Sequence, residues 1–269
     1  SATAGWRAPL FTSGGHRFDL EASVRGDVYD TRNGNAIGAR DSDTTGRVIP
    51  RLVAGWRYPL IQQNDWGSLV LEPRAQVVAA LDDGRDLSIP NEDSRAIEFD
   101  ESNFFSPDRF PGRDLVDDGQ RVDYGLTATA LFASGLGGGR ASAFVGQSVS
   151  RKQGDFAREA GMGRVSDVVA AATVAPSDWI DLTWRGRFDR ETFDTRRQEI
   201  AIGGGPEWLR LSAAYVQIDS ELQGPERSFA AEQLKLGGAV RFLDYWTVAA
   251  RHHADLDDNR SLLWAASLS

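Results

Sequence analysis

The chain has 269 residues, with 39 Asp and Glu against 30 Lys and Arg, a formal net charge of -9 and no cysteine. Without thiols neither a disulfide framework nor a thiolate metal site can form, and the acidic balance without a basic stripe argues against a nucleic-acid partner. No apolar run reaches about eighteen residues, so a transmembrane helix is excluded, but a transmembrane β-barrel is not, because only alternate residues of its strands meet lipid.

The first element is a hairpin. A run from Gly5 to Phe11 turns through Ser13-Gly14-Gly15 into a segment where Phe18, Leu20, Ala22, Val24, Gly26 and Val28 alternate with Arg17, Asp19, Glu21, Ser23, Arg25 and Asp27. A period of two places the greasy residues on one face of a strand and the charged ones on the other. A polar, Gly-rich connection over Arg32 to Gly46 leads to a strand over Arg47 to Ile61, a short turn at Gln62 to Trp66, and a partner strand over Gly67 to Leu81. Arg51, Arg57, Glu72 and Arg74 fall on the charged face of these two strands.

After a long segment, strands are expected over Arg121 to Ala133 and Arg140 to Arg151, followed by a loop over Gly154 to Arg164. Further strands read Val165 to Ala175, Trp179 to Glu191 with Arg185 and Arg187 on its charged face, Arg197 to Gly205, Leu209 to Ser220, Gln233 to Leu243, Tyr245 to Leu256 and Ser261 to Leu268. The reading is all-β, an antiparallel transmembrane β-barrel with about 12 strands in this chain. Runs of about 10 to 15 residues are long enough to cross a bilayer when tilted, whereas soluble sheets average about 5 to 6 per strand. The charged face holds too many Arg, Asp and Glu for a dry interior, and a hydrated one removes that difficulty. Trp6, Trp56, Tyr58, Trp66, Trp179, Trp208, Tyr245 and Trp246 stand near strand ends, where membrane-interface girdles place aromatics, although ordinary sheet packing uses them too.

The segment from Pro90 to Leu126 is polar, punctuated by Pro and Gly, and far longer than an ordinary connection. Segments of this length inside a compact fold are functional or disordered, and recurring anchors (Ile97, Phe99, Phe104, Phe105, Phe110, Leu115) favour an ordered, packed loop. Its charges can reach the inward rows of the strands through charge-assisted hydrogen bonds.

The same segment carries a resemblance. Asn91, Glu92 and Asp93 after Pro90, then Glu98 and Asp100 around Phe99, Asn103 and Phe105 around Phe104, Arg109-Phe110-Pro111-Gly112-Arg113-Asp114, and Gly119-Gln120-Arg121 leading to Tyr124, resemble in order the LptD family of outer-membrane lipopolysaccharide-assembly proteins. Two departures are Asp117-Asp118-Gly119, slightly displaced from the family's acidic-Gly step, and Phe104 in place of a Leu. The resemblance implies that residues 1–269 are the carboxy-terminal part of a larger barrel with an inserted lumenal loop at 82–119. It also implies a role in inserting lipopolysaccharide into the outer leaflet, with an LptE-like lipoprotein plug, a periplasmic Lpt bridge acting through an amino-terminal domain outside this chain, and no enzymatic step or cofactor. Ser1 opens without a signal peptide, as in a mature or excised chain.

Two other classes compete: a passive porin of about twelve strands with the long loop as its constriction, and a soluble β-sandwich. Enzymatic signals are weak. His252 and His253 are adjacent on a strand and so point to opposite faces, which prevents them from chelating one ion. His16, the third histidine, has no nucleophile motif beside it. Gly137 to Gly139 and Gly203 to Gly205 are not followed by a helix and read as turns rather than phosphate loops.

Overall fold

The structure is a computed structural model that describes residues 1–32, 42–80, 89, 91–94, 98–133, 138–219, 231–243 and 245–269. Among the described residues there are fourteen strands: β1 Ala2–Phe11, β2 Arg17–Arg32, β3 Ser42–Arg57, β4 Leu60–Asn64, β5 Gly67–Ala80, β6 Gln120–Phe132, β7 Arg140–Ser150, β8 Val168–Ser177, β9 Ile180–Phe188, β10 Thr195–Gly204, β11 Leu209–Ile218, β12 Glu232–Phe242, β13 Trp246–Asp255 and β14 Arg260–Leu268. They form one sheet in sequence order from β1 to β14, with β4 off that path and paired to β5. Every register that is resolved is antiparallel, from Phe11↔Arg17 at the first hairpin to Asp255↔Arg260 at the last.

Fourteen strands replace the expected twelve partly because the segment over Arg47 to Ile61 is two strands. β3 pairs with β5 as far as Arg57↔Arg74, and β4 resumes at Leu60↔Leu71. Pro59 and Pro73 fall in the gap, and neither has an N–H to offer the ladder. Other boundaries differ as well: β1 starts at Ala2 rather than Gly5, and β3 starts at Ser42 and so takes in part of the stretch expected as a loop over Arg32 to Gly46. The stretch over Gly154 to Arg164 contains a short helix, α1 Asp155–Glu159, and the next strand begins at Val168 rather than Val165. The expected anchor Ile97 lies outside the described residues, as do Pro90 and the expected strand end Leu81.

The residues divide into two compact units. The first comprises Ser1–Pro59, Glu72–Leu126 and Gly146–Asp167; the second comprises Leu60–Leu71, Thr127–Val145 and Val168–Ser269. In the first unit burial is inverted relative to a water-soluble sheet. Asp27 is 3% exposed while its neighbour Val28 is 74% exposed, and Val24, Val48, Leu52, Val77 and Val122 are exposed on the face opposite buried Gln76, Arg121 and Asp123. A large aliphatic side chain gains about 1.5–3 kcal/mol on leaving water, so rows of them on an outer face call for an apolar surrounding such as lipid.

The second unit repeats the pattern. Ile180, Leu182, Ile200, Ile202 and Leu236 are exposed, while Arg187 on the other face is buried. Trp179, Trp208 and Tyr245, at short turns, are among its most exposed side chains. Amphipathic rings at strand ends suit a membrane interface.

Candidate functional site

The site is the long segment between β5 and β6, together with the polar face on which it packs in the first unit. Its local fold comes from short polar side chains that bond nearby backbone. Asn91 Oδ1 accepts from the Ser94 amide at 3.0 Å, and Asp100 Oδ1 accepts from the Ser102 amide at 2.9 Å. Asn103 closes a turn by donating from Nδ2 to the Glu98 carbonyl at 2.5 Å and accepting from the Asp100 amide at 3.3 Å. These are Asx-type turns, the usual way for such residues to replace ladder bonds.

A second set of bonds joins the two ends of the segment. Asp93 accepts from the amides of Arg113 (2.9 Å) and Asp114 (3.1 Å), while Asp114 Oδ2 accepts from the amides of Glu92 (2.8 Å) and Asp93 (3.2 Å). Burial acts to raise the Asp93 carboxyl, but the Arg113 and Asp114 amides and the Ser94 hydroxyl together outweigh it and hold the group below its ordinary value. Gly112 permits this approach, since a Cβ there would overlap the Asp93 carboxylate and the Ser94 hydroxyl.

The apolar anchors form a small core. Phe99 stacks on Phe104 with ring centroids 5.4 Å apart, Phe104 meets Phe105 edge-on at 4.9 Å, and Phe156 of α1 stands edge-on to both Phe99 (6.0 Å) and Phe110 (5.4 Å). Phe104 and Phe156 are almost completely buried, and Ile89, Leu115 and Met162 are buried as well. Edge-to-face rings add about 0.5–1.5 kcal/mol per pair beyond area burial.

Beside this core lies a charge-balanced quartet. Arg109 Nη2 donates to Asp123 Oδ1 and to Ser148 Oγ, each at 3.0 Å, and Ser148 Oγ donates to the same Asp123 oxygen at 2.6 Å. Arg121 Nε donates to Asp123 Oδ2 at 3.1 Å, and its Nη2 reaches the carbonyls of Ser106 (2.5 Å) and Pro107 (3.2 Å). Asp117 Oδ2 stands 2.9 Å from Arg121 Nη1 and 3.2 Å from Arg109 Nε. The Arg109 guanidinium also lies about 5 Å from the ring centroids of both Phe99 and Phe156. All four charged side chains are buried. Burial, then the neighbouring Arg121, draws the Arg109 guanidinium down to about 10, still protonated at neutral pH. Burial pushes the Asp117 carboxyl up, against the pull of Arg121 and Arg109.

Strand arginines hold the rest of the segment. Arg25 Nη2 donates to the Arg113 carbonyl at 2.6 Å, Arg47 Nη1 to the Asp114 carbonyl at 2.6 Å, and Arg47 Nη2 also meets the Arg113 carbonyl. Arg51 pairs with Asp108 at 3.0 Å, and Asp27 lies between Arg25 and Arg47 at 2.9 Å from each. At the segment's tip Arg74 stacks over Phe105, 4.0 Å from the ring centroid, and Gln76 Nε2 donates to the Phe105 carbonyl at 3.2 Å. At its end Gly119, with φ of +83°, offers its carbonyl to the Ala80 amide at 2.8 Å.

The expected residues therefore divide. The motif residues from Asn91 to Arg121 lie in one packed arrangement, joined by Arg51 and Arg74 of the strands. Tyr124 does not join it: it is exposed on the apolar face and donates to Gln147 Oε1 at 2.7 Å. Arg57 pairs with Asp19 at 3.1 Å, and Glu72 is half-buried on β5, two residues before Arg74. Arg185 and Arg187 belong to the second unit, where Arg185 pairs with Glu199 at 3.2 Å. Asp117, Ser148, Asp108, the Arg25-Asp27-Arg47 trio and Phe156 were not anticipated as members. Phe156, Ala157, Ala160 and Met162 did carry a signal, as apolar residues spaced through a stretch read as a plain loop.

His252 stacks on Trp264 (4.1 Å) while His253 Nε2 meets Gln233 Oε1 at 3.0 Å, on opposite faces of β13.

Among solved structures, a triple variant of Rh. blastica porin aligns with 99% of this chain and 87% of its own at 10% identity and a TM-score of 0.34. A double variant of the same porin covers 99% and 98% at 11% identity and 0.32. Likeness of this degree carries no argument by itself. No curated protein matches the chain. The family model described as LptD, LPS transport system D, matches residues 1–246, and the chain belongs to this lipopolysaccharide-transport family of bacterial outer-membrane β-barrel proteins.

Proposed function

We propose that this chain is the carboxy-terminal part of an outer-membrane barrel, with residues 82–119 as an inserted lumenal loop, that places lipopolysaccharide in the outer leaflet. The observation that carries the reading is the reversal of faces in the first unit. Apolar rows such as Val24, Val28, Val48 and Leu52 are exposed, and the charged rows are covered by a segment bound through Arg25, Arg47, Arg51 and Arg121. Such a wall gives phosphorylated sugars a hydrated, charge-bearing surface while acyl chains stay with lipid. An LptE-like lipoprotein would share the interior as a plug, and a periplasmic Lpt bridge would deliver substrate through an amino-terminal domain outside this chain. In this reading the chain makes and breaks no bond.

Depleting the protein in its source bacterium and labelling lipopolysaccharide on intact cells tests the proposal. Surface lipopolysaccharide should fall as the protein disappears; undiminished labelling would overturn the reading. A steady, wide conductance from the intact protein in a planar bilayer would instead favour a passive porin.

A further inference from the structure

We infer that the polar face of the first unit holds a binding site for a sugar-borne phosphate, centred on Arg57 and Arg74. The inference rests on the passage reading above and adds a specific contact point to it. A cavity of about 160 Å³ lies where Arg57, Arg74 and Gly55 of the strands face Phe105 and Pro107 at the tip of the long segment. Gly55 stands cross-strand from Asp19 on one side and Gln76 on the other, so no side chain grows from the middle of this patch.

The charges around the cavity favour an anion. Asp19 is already shared by Arg7 (3.4 Å), Arg17 (3.0 Å) and Arg57 (3.1 Å). Glu21 is cross-strand from Arg7. Arg74 forms no carboxylate bridge among the described residues and uses the face of its guanidinium on the Phe105 ring, 4.0 Å from the centroid. A guanidinium carries its N–H donors in its plane, so stacking occupies its face and leaves the donor edge available. That edge matches two oxygens of a phosphate. Arg57 is the direct cross-strand partner of Arg74, and although its Nη2 is held by Asp19 at 3.1 Å its other N–H groups add donors beside the Arg74 edge.

Position supplies the remaining argument. Arg17↔Arg57 is the first pair of β2 and β3 beyond the short turn at residues 12–16, whereas the long segment enters from the opposite end, after Ala80. Short turns of outer-membrane barrels lie on the periplasmic side. The cavity therefore sits below the tip of the packed segment, on the side from which a glycolipid made inside the cell would arrive.

The test is a phosphorus NMR titration of the intact protein in detergent micelles, using glucosamine 1-phosphate and inorganic phosphate as probes. Arg74→Gln and Arg57→Gln should each weaken glucosamine 1-phosphate binding about tenfold or more, while Arg185→Gln should leave it unchanged. Unfolding temperature checks that each variant is folded. Equal binding by wild type and folded Arg74→Gln overturns the site, and so does binding of inorganic phosphate alone. Undiminished surface lipopolysaccharide on depletion would overturn the passage reading without touching the titration, so the two failures are distinguishable.

Discussion

Asp93 and Asp114 each bind the backbone that carries the other: the Asp93 carboxylate accepts the Asp114 amide at 3.1 Å, and the Asp114 carboxylate accepts the Asp93 amide at 3.2 Å. The two ends of the long segment are thereby closed by a reciprocal clamp, with the Arg113 and Glu92 amides as further donors. Hydrogen bonds to charged groups contribute about 1.5–3 kcal/mol each when well formed. Asp93→Ala and Asp114→Ala each remove two such bonds at a solvent-exposed clamp and should each loosen the segment by at least about 1.5–3 kcal/mol, and the double variant by less than the sum, because both remove one shared structure. Gly112→Ala should reproduce Asp93→Ala and add little to it, since the new Cβ displaces the same carboxylate. Urea unfolding of the vesicle-inserted protein gives the energies, and strict additivity would contradict a single clamp.

The clamp should also open in acid. The Asp93 carboxyl titrates below its ordinary value in the folded protein, so its contribution is fully present above the unfolded value of about 4 and is lost as pH falls through the folded one. Asp117 has the opposite sign, because burial raises it and protonation relieves rather than removes a stabilising state. Hydrogen exchange at the Arg113 and Asp114 amides, corrected for intrinsic pH dependence, should show protection disappearing at low pH. Asp93→Asn should abolish that step and Asp117→Asn should preserve it.

Much of this was legible in the chain because a period of two is hard to disguise over ten or more residues. Arg17 to Val28 and Arg121 to Leu126 alternate cleanly, and both the strands and their faces follow from that pattern. What escaped depended on tertiary partners. The break at Tyr58-Pro59 is invisible to periodicity until Pro73 is known to lie opposite. The α1 segment is only five residues, too short for a helical stripe, and its Phe156 matters because Phe99 and Phe110 arrive from a distant part of the sequence. Arg109 and Asp117 announced charge but not a common burial with Asp123, which is fixed by how the segment folds back.

Removing one member of the buried quartet should cost more than removing a balanced pair. Arg109→Ala leaves Asp123 and Asp117 with Arg121 as their remaining cation in the quartet, and breaking a buried pair from one side costs about 3–5 kcal/mol. The Arg109→Ala/Asp123→Ala double variant removes one charge of each sign and should lose clearly less than the two single effects combined. Temperature-dependent band shifts on detergent gels report the unfolding temperature. If Arg109→Ala unfolds like wild type, the quartet is not a stabilising element of the segment.

The reversal of faces has its own test, in neighbouring residues that should respond in opposite ways to charge. Leu52 is 61% exposed and Arg51 is half-buried against Asp108. If lipid covers the Leu52 row, Leu52→Arg places a guanidinium in hydrocarbon, with a penalty of about 2–4 kcal/mol near the bilayer midplane. Arg51→Leu removes the Asp108 bridge on the polar face and leaves the lipid-facing row intact, so membrane insertion should proceed while the segment loosens. The comparison is made by refolding both variants into lipid vesicles and scoring insertion separately from protease access to residues 98–119. Normal insertion of Leu52→Arg would mean that water, not lipid, bathes that face, and the membrane-spanning assignment of β3 would fall with it.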